Sequence, residues 1–118
     1  MRVAALVAVT IATACVAPAV GPGVRADLSA RVVSAQPAIT QCYANALKAR
    51  QNLRGIVVLA FAAAPTTGQF VDIIVTRDDL RDPGLDRCVV GAIAQLRLAQ
   101  PLTTRVAVPG LPIRFTPQ

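Results

Sequence analysis

Apolar residues at Ile39, Cys42, Tyr43, Ala46 and Leu47 recur at the i, i+3, i+4, i+7, i+8 spacing of a helix with one buried stripe. The pattern predicts a main first helix starting close to Pro37, a residue accepted in a first turn, with the following connection closed by Gly55. Residues 56–64 are short, almost wholly apolar and rich in branched side chains, and the turn signal Pro65-Thr66-Thr67-Gly68 follows them. Residues 69–77 alternate imperfectly around Asp72, so the two runs read as a β-hairpin. Asp82-Pro83 then opens a second helix, because an acidic cap candidate precedes a proline, and Leu85, Cys88, Val89, Ala92, Ile93 and Leu96 share one stripe. After Gln100-Pro101, residues 105–115 return as a last strand interrupted by Pro109 and Pro112.

The order is helix, strand, strand, helix, strand, an α+β αββαβ arrangement. A strand apolar at nearly every position belongs in the middle of a sheet, and one containing two prolines belongs at its edge. The expectation is therefore a three-stranded antiparallel sheet of order 2-1-3 with both helices packed on one face. Cys42 and Cys88 then point inward from adjacent helices, where they form either a disulfide or two buried free thiols. The bridge would close a long loop in a module of marginal size and contribute about 4 kcal/mol in the chain-entropy view.

The N-terminus changes the setting. Arg2 precedes an apolar stretch from Val3 to Ala14, with small residues at Ala12 and Ala14, so residues 1–14 read as a signal peptide; a segment of this length is too short for a helical membrane span. Ala12-Thr13-Ala14-Cys15 is similar to a bacterial lipobox, in which Cys15 is acylated and the chain is anchored to a membrane; plain cleavage, here or at Ala17-Pro18-Ala19, is the alternative. An exported chain meets oxidising conditions, which favours the bridge over free thiols. Residues 15–35 read as a tether with a possible short helix after Asp27, and residues 36–118 as the folded domain.

Charge and composition narrow the function. The net charge of +6 is spread along the chain, and the local excess at Lys48, Arg50 and Arg54 suits a helix end. With one Tyr, three Phe and no Trp, there is little on which nucleic-acid bases could stack, so no nucleic acid is expected as a partner. The sequence contains neither His nor Glu, so no catalytic site, metal or cofactor is expected. Asp78, Asp79, Asp82 and Asp86 lack calcium-loop spacing and alternate with Arg77, Arg81 and Arg87, which suits capping and a solvated loop.

Cys42-Tyr43, Ala46-Leu47, Leu53-x-Gly55, an apolar strand, Gly68, a second strand, Cys88-Val89 on a helix and a closing Pro112-Ile113-x-Phe115 together resemble the C-terminal domain of the AgmX/PglI family, which is related to the TonB C-terminal fold. The resemblance runs from about Pro37 to Phe115. It implies the αββαβ fold, the Cys42–Cys88 bridge, and Val57, Leu59 and Phe61 directed at the helices. Alternation then puts Ile56, Val58, Ala60 and Ala62 on the other face, joined by Ile74, as a partner-binding surface for an envelope protein. Residues near Val32 and Val33 could instead fold back over that face. A competing route, strand addition at the outer edge of the last strand, is disfavoured by Pro109 and Pro112. The alternative function is a surface module held at anionic lipid or cell wall by its lipid and Arg side chains.

Overall fold

A computed structural model describes residues 7–11 and 21–117. Along the chain run β1 (Val7–Ile11), α1 (Pro22–Ser34), α2 (Gln36–Ala49), β2 (Gly55–Ala63), β3 (Phe70–Asp78), α3 (Pro83–Ala94) and β4 (Val106–Pro117). The four strands form one sheet of order β1-β4-β2-β3, and every neighbouring pair is antiparallel.

The architecture is α+β, but the three-stranded expectation is overturned by a fourth strand. The fourth strand, β1, lies within the segment read as a signal peptide; the remainder of that segment, with the cleavage tetrad and Cys15, lies outside the described residues. A further helix, α1, occupies the stretch read as a tether with a possible short helix, and it starts at Pro22, ahead of Asp27. Pro22 stands in its first turn, where a fixed φ is already helical and no N–H is needed. Asp27, expected to cap a shorter helix, lies inside α1, and its carboxylate accepts from Ala99 N (3.1 Å) and Gln100 N (2.9 Å), tying α1 to the connection after α3.

β4 is likewise not the edge strand that its prolines suggested. Its neighbour β1 pairs only with Ile113–Pro117, downstream of Pro109 and Pro112. On the other side, Leu59 pairs with Leu111 and Phe61 with Val108, so β4 takes up an extra residue at Pro109-Gly110 in a bulge. Both interior prolines thus fall where this outer ladder is absent.

The helices cover one face. Val57, Leu59, Phe61 and Ala63 of β2 and Val108, Leu111, Ile113 and Phe115 of β4 are buried in one cluster with residues of α1, α2 and α3. Asp82 caps α3 as its sequence predicts, accepting from Leu85 N at 3.0 Å. Tyr43 is fully buried; its ring centre lies 4.9 Å from that of Phe115, and its hydroxyl donates to Leu53 O, pinning the α2–β2 connection. Burial raises the Tyr43 pKa above the ordinary phenol value, and the nearby charge of Arg54 opposes the shift. At Gly55 the chain turns with φ of 141°, and a Cβ there would sit 2.6 Å from Asp79 Cβ, so both conformation and space require glycine.

Candidate functional site

Cys42 and Cys88 are joined in a disulfide that links α2 to α3, with 5.8 Å between their Cα atoms. Cys42 is buried as its stripe predicts. Cys88 is exposed, contrary to the inward orientation expected. Leu85, Val89 and Ile93 carry the buried stripe of α3, and Cys88 stands on its flank, facing α2 from the solvent side. The bridge therefore joins a buried residue to an exposed one.

The face of the sheet opposite the helices is built around β2. Residues directly opposite in an antiparallel pair share a face, so the pairs Val58–Arg77, Ala60–Ile74 and Ala62–Val71 place three β3 residues with the outward side chains of β2. The pairs Ile56–Arg114, Val58–Pro112 and Ala62–Ala107 do the same for β4. Ile56, Val58 and Ala60 are half-buried, and Ile74 is 58% exposed. None of the four belongs to the core cluster or packs against it. Ala62 is on the same face but only 1% exposed, so it does not contribute to the open surface.

Sequence reasoning missed Val71 and Pro112 as members of this surface, and Arg77 and Arg114 as its charged flank. The reason for the first is Asp72, whose φ of 55° marks a break in the alternation of β3 and reverses the side on which Val71 emerges. The stretch offered as a cover does not act as one: Val32 is buried in the core on the helix side, and Val33 is 57% exposed. An ion pair between Asp72 and Arg105 at 2.8 Å spans β2 at one end of the face. Both partners are exposed, so it adds little stability.

The disfavoured route, strand addition at the outer edge of β4, is the one the chain itself uses: Val7–Ile11 occupies that edge. The prolines disfavour pairing only upstream of Ile113.

The aspartates around the α3 start serve the backbone. Asp78 accepts from Leu80 N (3.0 Å) and Arg81 N (2.9 Å), and Asp79 accepts from Ile56 N and pairs with Arg77. Asp82 caps α3 and lies 3.8 Å from Arg50. Among the described residues, no three His, Cys, Asp or Glu side chains come together as a metal-holding group. Asp86 differs from the others: burial, a hydrogen bond with Asp78, and the charges of Asp78 and Asp82 push its pKa up to about 7, and its Oδ1 is buried without a partner.

No protein-family model, no curated protein and no solved structure matches the chain.

The disulfide closes a separation of 46 residues. Cys42→Ala is expected to cost about 4 kcal/mol, read as a fall in the midpoint of thermal unfolding without reductant, and reduction of the native chain should reproduce the fall. After mild reduction, alkylation followed by peptide mass analysis should find Cys88 modified before Cys42.

Asp86 has a folded pKa of about 7 against an unfolded value near 4, so between these limits the folded chain holds a proton that the unfolded chain releases. Stability should therefore decline as pH rises from about 4 to about 7 and level off above. Asp79, lowered by its hydrogen bond with Arg77, acts in the opposite sense and only at lower pH, as pH falls from the unfolded value through the depressed one. Asp86→Asn should flatten the decline, measured as the unfolding midpoint against pH; an unchanged profile would refute this assignment.

Proposed function

We propose that the chain is a non-catalytic cell-envelope protein, exported by residues 1–14 and held as a lipoprotein through Cys15 or released as a secreted domain, whose disulfide-stapled domain binds another envelope protein. The observation that carries the reading is the uncovered apolar face formed by Ile56, Val58, Ala60, Val71, Ile74 and Pro112. Apolar side chains gathered on one side of a sheet are costly to leave in water, and such a patch marks a docking surface more often than an incidental one. The bridge between Cys42 and Cys88 supports the export half, since disulfides persist in oxidising compartments. The similarity of the domain's residues to the AgmX/PglI C-terminal domain supports a role in the envelope. The flanking Arg114 favours a partner with acidic groups beside an apolar centre, whereas Arg77 is already paired with Asp79.

Ile74→Asp and Val58→Asp place a charge in that face without entering the helix-side core. Each is expected to reduce cross-linked partner capture from intact envelope at least tenfold, while the disulfide and the unfolding midpoint stay near those of the parent. Unfolding by both variants would identify the face as core and refute the reading. Loss of capture by a few hundred millimolar salt, with no effect of either substitution, would favour the charge-held surface module instead.

The anchor has its own test. Incorporation of labelled fatty acid should require Cys15, and Cys15→Ala should release the protein from the membrane fraction. A mature chain beginning at Val20 would refute the lipoprotein form.

A further inference from the structure

The segment Val7–Ile11 has two uses that exclude each other. It forms the middle of the apolar stretch that export machinery would read, and it is also β1, paired residue by residue with Ile113–Pro117. We propose that the leader doubles as a latch: a full-length chain that folds before processing buries its own leader against β4 and withholds it from the enzyme that cleaves it. The inference rests on the export reading above.

Three observations carry it. Val9 is 6% exposed and belongs to the core cluster, opposite Phe115, while Thr10 beside it faces solvent, so the segment has the in-and-out alternation of a seated strand. Its free edge is also engaged: the Gln36 side-chain amide, at the start of α2, donates to Val9 O at 2.8 Å. The slot it fills lies downstream of both interior prolines of β4, where the ladder can run unbroken. A segment whose backbone is bonded to β4 and whose side chain is in the core cannot be presented to a peptidase without that part of the sheet opening.

The test uses the full-length chain, folded and oxidised, with deuterium uptake read by mass spectrometry and a leader-peptidase assay in parallel. Residues 7–11 should exchange far more slowly than an unstructured peptide, and the folded chain should be cleaved at least tenfold more slowly than the same chain unfolded in denaturant and diluted into the assay. Gln36→Ala, which leaves the leader sequence untouched, should speed both exchange of residues 7–11 and cleavage by about fivefold, with little change in the unfolding midpoint. Unprotected exchange of residues 7–11, or equal cleavage of folded and unfolded chains, would overturn the latch. Failure of the unfolded chain to be cleaved at all would instead remove the export reading, and with it the latch as a control on processing, while slow exchange would still establish β1 as a strand of the fold.

Discussion

Three helices cover one face of a small sheet, and the bond between Cys42 and Cys88 holds two of them, α2 and α3, together while they do so. Its effect is larger than its position suggests. A domain of this size buries too little of its surface for packing alone to leave a wide stability margin. Removing chain entropy from the unfolded state is therefore worth a large part of the total. With α2 and α3 fixed together, Tyr43 from one and Val89 and Ile93 from the other meet the inner residues of β2 and β4. The central strand is buried on that side because the helices cannot separate.

The opposite side of the same strand has no such cover. Ile56, Val58 and Ala60 alternate with Val57, Leu59 and Phe61, so one nine-residue strand presents a closed core to the helices and an open apolar surface to the exterior. This division follows from the two-residue period of a strand, and the bulges in β3 and β4 widen the outer surface by turning Val71 and Pro112 towards it.

Much of this was legible in the chain. The stripes of α2 and α3 and the Asp82-Pro83 start are local signals, and the structure keeps them. The illegible parts have identifiable causes. Val7–Ile11 carries no turn signal on either side, and a short apolar run has the same composition whether it crosses into a translocation channel or pairs with a strand more than a hundred residues away. The stretch before Asp27 has the prolines and glycines of a tether, yet Pro22 sits where a helix accepts one. Cys88 shares the spacing of an apolar stripe, but a helix flank and a helix stripe differ by less than the resolution of that pattern. In β4, proline count alone could not reveal that both interior residues fall outside the ladder β1 would form.

The Asp27 carboxylate, which spans more than seventy residues to reach the backbone of Ala99 and Gln100, has a mechanical consequence. Once residues 1–14, and β1 with them, are removed as the proposed leader, a pull on the chain ahead of Pro22 loads α1 first, and α1 is held by contacts such as those of Leu28, Val32 and this carboxylate rather than by a strand ladder. Two exposed hydrogen bonds yield at far smaller force than a sheet sheared along its strands. α1 therefore acts as a compliant element that can peel away and return under tension, while the disulfide and the central strands behind it remain in place.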